Sequence, residues 1–168
     1  MSTTATTYCL DANVLIEAWR RYYSPKFCPD YWEVLKELGI RQRVFLPELV
    51  YEEITRTEDE LSKWLKGSRI PIRKTSASVI GCLQSIYAHN PLHKNLVDSV
   101  KGRSLADPWV IAHAIDEKAT VVTKEEKITA INSTKIKIPN VCDNMSVRWM
   151  DDFGFVAELG IQFTCRLR

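Results

Sequence analysis

The 168-residue sequence lacks the motifs of several common catalytic and binding sites. It has no G-x-x-x-x-G-K-[ST], no G-x-G-x-x-G and no G-x-S-x-G, so a phosphate-cradling loop and a serine-hydrolase nucleophile have no support. The five cysteines are scattered, odd in number and never at C-x-x-C spacing. This usage fits a reducing compartment such as the cytoplasm better than a disulfide framework.

Long apolar runs and a strong excess of one charge are also missing. No run approaches the roughly 20 apolar residues that a bilayer-spanning helix needs, and the N-terminus MSTTATTYCL has no basic region followed by an apolar one. We therefore expect a soluble, cytoplasmic protein without membrane contact. The net charge is only +2, so any nucleic-acid contact would depend on locally clustered cations.

The histidines give little support for a zinc site. His89 and His93 have i, i+4 spacing, but Pro91 lies between them and the H-E-x-x-H glutamate is absent. We interpret them as a surface pair. His113 lies within an apolar helical pattern and is interpreted as an interior histidine with satisfied hydrogen bonds.

The residues that are present favour one α/β domain spanning residues 1–168. Apolar residues make up 45% of the chain, which is enough for a sizeable core. Short β-branched or apolar runs alternate with amphipathic helical patterns, and this alternation predicts a mainly parallel sheet with helices on both faces. The predicted strands are Tyr8–Leu10, Arg43–Pro47, Ala119–Thr123 and Ile161–Cys165. In such a sheet, ligands bind beyond the carboxyl ends of the strands.

Four carboxylates fall at or near that edge in the predicted arrangement: Asp11, Glu53, Asp107 and Glu125. All-oxygen ligands suit Mg²⁺ or Mn²⁺ rather than zinc. Two bare carboxylates about 4 Å apart repel by roughly 4 kcal/mol at an effective dielectric constant near 20, so four in one cleft need protons or a divalent cation. With a cation, the cluster becomes suited to phosphodiester hydrolysis, because the metal lowers the pKa of a bound water and neutralises charge in the transition state.

Each acid also has a simpler structural interpretation. Asp11 can cap the helix that follows it, and Asp107 can do the same with Pro108 at the first helical position. Ser104 is an alternative cap that would leave Asp107 in the first turn. Glutamates such as Glu53 are usually solvated when they lie on helices. The neighbours Glu52 and Glu126 are the alternatives for the second and fourth positions.

Four segments, taken in order, resemble the motifs of PIN-domain nucleases. They are YCLDANVLI (8–16), FLPELVYEEI (45–54), LADPWVIAHA (105–114) and ATVVTKE (119–125). The first is similar to the family's D-T-N-V-L, with Ala12 in place of the usual Thr or Ser. The last resembles the T-x-D signature, with Glu125 where Asp is usual. The resemblance implies a three-layer α/β/α fold with a mainly parallel central sheet.

The same resemblance implies a metal-dependent endoribonuclease, often the VapC-like toxin of a toxin–antitoxin pair. Asp11, Glu53, Asp107 and Glu125 would be both the catalytic residues and the ligands of one or two Mg²⁺ or Mn²⁺ ions. RNA would be the substrate, and a cognate antitoxin and a second copy of the chain would be the protein partners. Two other functions stay open: a nuclease of RNA processing or one acting on DNA, and a degenerate domain that only binds RNA or protein.

Further residues are candidates for shaping the pocket or holding RNA. The Thr123 hydroxyl would shape the acidic pocket. Cations before the third acid could bind phosphates, and aromatic residues after the first acid could stack on unpaired bases. The cations are Lys94, Lys101 and Arg103, and the aromatic residues are Trp19, Tyr22 and Tyr23. Surface cations and packed aromatic side chains are the simpler interpretation of both sets.

Overall fold

A computed structural model of the chain describes residues 5–97, 104–165 and 167. Within them, five strands form one sheet in the order β3-β2-β1-β4-β5, and every pairing is parallel. The strands are β1 Tyr8–Leu10, β2 Val44–Pro47, β3 Ile72–Arg73, β4 Thr120–Val122 and β5 Trp149–Met150. The α/β architecture with a mainly parallel sheet, predicted from the alternating pattern, is therefore confirmed.

Eight α-helices and one 3₁₀ helix within the described residues connect and flank these strands. They are α1 Ala12–Arg20, α2 Pro29–Ile40, α3 Glu48–Thr55, α4 Glu60–Gly67, α5 Ala77–His89, the 3₁₀ helix Pro91–Leu96, α6 Asp107–Glu117, α7 Ile138–Asn144 and α8 Asp152–Glu158. No helix in this part of the chain is long and apolar enough to cross a membrane.

The three central strands are fully buried, which explains their continuous apolar sequences. In β1, Tyr8 pairs with Val44 of β2 on one side and with Thr120 of β4 on the other. All residues of these three strands are buried, as expected for parallel strands covered by helices on both faces. The same register brings the carboxyl ends of β1 and β4 together, and the backbone N–H of Asp11 donates to the carbonyl of Val122 over 3.0 Å.

The predicted final strand, Ile161–Cys165, is wrong. The described residues of this segment belong to no strand of the sheet. Phe163 of this segment instead stacks on Tyr23, with ring centroids 5.0 Å apart and an interplanar angle of 8°. The segment covers an aromatic cluster instead of extending a ladder.

The aromatic residues after the first acid pack mostly inward. Trp19 contacts Trp32 and Trp64, with ring centroids 4.6 and 6.0 Å away. Tyr23 is buried against Tyr31. These contacts favour the interpretation of Trp19 and Tyr23 as packed aromatic side chains, and not as side chains that stack on bases of RNA.

Candidate active site

Asp11 is the buried centre of the candidate site. It immediately follows β1 and is the N-cap of α1, where its Oδ1 accepts from the Ala12 backbone N–H over 2.7 Å. Its Oδ2 accepts from the Thr123 hydroxyl over 2.8 Å, and Thr123 immediately follows the neighbouring strand β4. Burial raises the pKa of Asp11 to about 7, against the lowering effect of the Thr123 hydrogen bond, and the charges of Glu125 and Glu53 raise it further.

Asp107 reaches the same region from α6. It is the first residue of that helix, whose N-cap is Ala106, and its side chain is buried. Burial raises the pKa of Asp107 to about 8, and the charges of Asp11, Glu125 and Glu53 act in the same direction. Asp107 is therefore not the cap. It lies in the first turn, as in the alternative with Ser104 as the cap, although the N-cap residue is Ala106 and not Ser104.

Glu53 approaches from α3 and is exposed to solvent. Partial desolvation raises the pKa of its carboxyl group. Its charge raises the pKa of both Asp11 and Asp107, so its carboxylate lies within electrostatic reach of both. Glu53 is thus the member of the Glu52–Glu53 pair that is coupled to the buried aspartates.

Glu125 lies on the loop after β4, and both of its carboxylate oxygens accept hydrogen bonds. Oε1 forms an ion pair with Lys137 Nζ at 2.7 Å, and Oε2 accepts from the Ile138 backbone N–H at 2.8 Å. The backbone N–H of Glu125 in turn donates to the Thr123 hydroxyl oxygen over 3.2 Å. Glu125 is largely buried, whereas its neighbour Glu126 is exposed.

The four predicted acids are therefore electrostatically coupled at one edge of the sheet, but they do not form a finished metal cage. Among residues 5–97, 104–165 and 167, no three His, Cys, Asp or Glu side chains are arranged to hold one ion as they stand. The pairing of Glu125 with Lys137 and Ile138 turns one candidate ligand toward α7. The assignment of these acids as ligands stays a prediction.

The other predicted residues have mixed outcomes. Thr123 is buried and contacts Asp11 directly. Lys94 is exposed on the 3₁₀ helix. Lys101 and Arg103 lie outside the described residues.

The surface-pair interpretation of the histidines is wrong for His93. This side chain is fully buried, with Nδ1 2.7 Å from the Ile86 carbonyl oxygen and Nε2 2.9 Å from Asn144 Nδ2. It joins α5 to α7, and these contacts explain its burial without a metal. His113 is interior as predicted, although its Nε2 has no hydrogen-bond partner among the described residues.

Two parts of the site were missed by sequence reasoning. Asn13 accepts from the Lys124 backbone N–H over 2.9 Å and so ties the loop after β4 to α1. Lys124 Nζ pairs at 2.8 Å with Asp152, a fully buried carboxylate at the first position of α8. Asp152 lies two residues after the edge strand β5, whereas Asp11 and Thr123 come directly after inner strands. Its place near the carboxyl end of a strand is the signal that could have identified it.

A separate cavity of about 750 Å³ lies at the opposite edge of the sheet. Residues before the strands line it, among them Thr7, Lys118 and Arg148. It does not include any of the four acids, so it is separate from the acidic site at the carboxyl edge.

The sequence matches a known protein family but no curated protein. A family model described as a domain of unknown function, DUF4411, matches residues 8–163. No curated protein sequence matches the chain at a significant level.

Three solved structures are similar to the chain in fold. The first is a chain of VapBC2 from Rickettsia felis in a complex with a DNA fragment from the promoter. It has a TM-score of 0.58 and 18% sequence identity, and the match covers 87% of this chain and 98% of that one. FitAcB from Neisseria gonorrhoeae gives 0.53 at 15%, over 88% and 99%. DNA-bound VapBC from Salmonella typhimurium gives 0.50 at 14%, over 87% and 98%. The likeness confirms the PIN-like fold.

Proposed function

The chain belongs to the DUF4411 family and has the PIN-like fold, and on this basis we propose that it is a metal-dependent endoribonuclease that hydrolyses RNA phosphodiester bonds. The observation that carries the proposal is the coupling of Asp11, Asp107, Glu53 and Glu125 at one edge of the parallel sheet. The four acids come from four separate segments of the chain. A helix cap or a solvated position on a helix would not require them to lie together.

The donor set fits a hard divalent cation. All four groups offer oxygen, the ligand type that Mg²⁺ and Mn²⁺ prefer. Burial raises the pKa of Asp11 to about 7 and that of Asp107 to about 8, so the cluster at neutral pH takes up either protons or a cation. Asp11, Asp107 and Glu53 would hold the ion, and Glu125 could join them after a change in its contact with Lys137.

A bound Mg²⁺ or Mn²⁺ ion supplies positive charge for the phosphodiester and lowers the pKa of the attacking water. The remaining work belongs to the chain. Thr123 and the Ala12 N–H fix the orientation of both Asp11 oxygens, which leaves one lone pair of each directed elsewhere. Asn13 holds the loop that carries Glu125 against α1.

The biological role that we propose is that of a toxin with a cognate antitoxin. Support comes from the likeness in fold to chains of VapBC2, FitAcB and VapBC. The matched region covers nearly the whole of each of those chains. RNA as the substrate and a homodimeric state are parts of the same proposal. Co-expression with the product of the neighbouring gene, followed by co-purification, tests the antitoxin partnership.

A second candidate is a catalytically inactive domain that binds RNA or protein. The ion pair between Glu125 and Lys137 favours it, because this contact occupies one of the four acids with a cation of the chain itself. In that case Mn²⁺ would not bind at the acids.

The test is cleavage of labelled single-stranded RNA and single-stranded DNA with Mn²⁺, Mg²⁺ or EDTA. We expect RNA cleavage that EDTA abolishes and that Asp11→Asn and Asp107→Asn each reduce by at least about a hundredfold. Asp30→Asn is the matched control, because Asp30 is also in the first turn of a helix next to a proline but is exposed. Cleavage of DNA alone would support the DNA nuclease, and full activity of Asp107→Asn would contradict the site.

A further inference from the structure

The loop after β4 and the start of α7 place a lysine within the acidic site. Lys137 Nζ lies 2.7 Å from Glu125 Oε1, and the next residue, Ile138, donates its backbone N–H to the other oxygen of the same carboxylate over 2.8 Å. The Glu125 side chain is only 12% exposed. The carboxylate of this ion pair is therefore largely removed from solvent, unlike the carboxylate of a typical surface ion pair.

The Lys137 ammonium is within electrostatic reach of more than one acid. Its pKa is raised first by the hydrogen bond with Glu125, and the charges of Glu125, Asp107 and Asp11 add to that effect. Lys127, on the same loop, pairs instead with the more exposed Asp143 on α7. Lys137 is thus placed among the clustered acids, and Lys127 is not.

We propose that Lys137 is the site's own counter-cation, a positioning residue that holds Glu125 in the metal-free protein and competes with the divalent ion for that carboxylate. The proposal rests on the proposed function for the identity of the acids. It explains why four coupled carboxylates do not form a cage as they stand: one of them already has a cation. Divalent-ion binding then requires Glu125 to exchange the ammonium for the ion.

The competition predicts a specific pattern of Mn²⁺ affinities, measured by calorimetric titration of the full-length chain with Mn²⁺ alone. Lys137→Gln removes the competing charge, so it should bind Mn²⁺ about three to ten times more tightly than the wild-type protein. Lys137→Arg keeps the charge and should bind no more tightly than wild type. The control Lys127→Gln removes an equal charge from the same loop and should leave the affinity within about twofold.

A double-mutant cycle with Glu125→Gln separates the pair from a general charge effect. If Lys137 acts through Glu125, then Lys137→Gln should have little effect on Mn²⁺ affinity once Glu125 is a glutamine. Thermal unfolding of the four proteins in EDTA gives a second readout. If the two residues stabilise each other, the stability losses of the two single variants should add up to more than the loss of the double variant. Circular dichroism of each variant establishes that it is folded before titration.

The outcomes distinguish this inference from the function on which it rests. Tighter Mn²⁺ binding by Lys137→Gln that disappears in the Glu125→Gln background supports it. Unchanged or weaker binding by Lys137→Gln overturns it, while the proposed metal site stands if Asp11→Asn still loses Mn²⁺ affinity. Absence of Mn²⁺ binding by the wild-type protein overturns both.

Discussion

Thr123 donates its hydroxyl to Oδ2 of Asp11 over 2.8 Å, across 112 positions of the sequence. The two residues follow neighbouring parallel strands, so the hydrogen bond joins the ends of β1 and β4 at the edge where the acids meet. It also opposes the effect of burial on the pKa of Asp11. One short contact thereby links the sheet register to the protonation of the central carboxylate.

Thr123→Val should disable this link while preserving side-chain shape. We expect a loss of about 1–2 kcal/mol of stability at pH 8, because the buried Asp11 oxygen and the Glu125 N–H each lose a hydrogen-bond partner. Denaturant unfolding in EDTA measures it. Thr120→Val is the control, since it makes the same change in a buried residue at the other end of β4. An equal loss in the two variants would argue against a special role for Thr123.

The stability of the metal-free protein should fall as the pH rises from 6.5 to 8.5. The folded-state pKa values of Asp11 and Asp107, about 7 and about 8, lie above the ordinary 3.8, so the folded chain holds protons that the unfolded chain has released. Their stabilising contribution is complete below about pH 4 and is lost as the pH passes the folded pKa values. Thermal unfolding in EDTA checks the slope.

Asp11→Asn isolates this effect from the rest of the molecule. The asparagine can still cap α1, and it removes one charge from the coupled acids, so its unfolding temperature at pH 8.5 should exceed that of the wild-type protein. Below about pH 4, where Asp11 is protonated in both the folded and the unfolded wild-type chain, the two proteins should be similar. Added Mn²⁺ should raise the unfolding temperature of the wild type only. A variant that is less stable than wild type at pH 8.5 would contradict the raised pKa of Asp11.

The ion pair between Lys124 and Asp152 should matter more than the exposed ion pairs. Asp152 is fully buried, and the partly exposed Lys124 ammonium also lies 4.8 and 4.5 Å from the ring centroids of Tyr22 and Phe153. Asp152→Asn leaves this ammonium without its counter-charge, and we expect a loss of about 1–3 kcal/mol in urea unfolding. Asp143→Asn, in the more exposed pair with Lys127, should cost less than about 1 kcal/mol.

Phe153 offers an exposed ring beside the acidic edge. It is 54% exposed at the start of α8, and its ring lies 5.6 Å from that of Tyr22. If single-stranded RNA crosses this edge, Phe153→Ala should weaken RNA binding about tenfold, because stacking contributes about 1–3 kcal/mol per base. Fluorescence anisotropy in the Asp107→Asn background measures binding without cleavage. Phe27→Ala, which removes a more exposed ring beside Lys26, should have no effect.

Substitution of Gly39 should lower the stability of the protein, because the backbone of Ile70 lies close to its Cα. Glycine is common just after the end of a helix, but Gly39 lies inside α2, which continues through Ile40. A Cβ at position 39 would lie 2.9 Å from the Ile70 Cα, so Gly39→Ala should cost about 1–3 kcal/mol despite alanine's higher helix propensity. Gly81→Ala meets open space within α5 and should be neutral or stabilising by up to about 1 kcal/mol. Urea unfolding of both variants decides the comparison.

The order of strands and helices was readable because hydrophobic periodicity is local. The fully apolar run Tyr8–Leu10 and the β-branched run at 119–123 predict buried strands, and both form the centre of the sheet. Periodicity failed where the pattern was short or had two explanations. The two-residue strands Ile72–Arg73 and Trp149–Met150 are too short to show alternation. The segment Ile161–Cys165 resembles a strand in sequence, but its Phe163 packs on Tyr23 and the segment does not join the sheet.

The sequence by itself determined the parallel α/β class and the positions of the acids that follow or precede its elements, because residue order fixes which side chains come after a buried strand. Only the tertiary structure decided which charges share an environment. Glu125 pairs with Lys137, and Asp152 pairs with Lys124, through contacts 12 and 28 positions apart. Such pairings depend on how loops cross the sheet edge, and burial at that edge sets the pKa of Asp11, which no local pattern encodes.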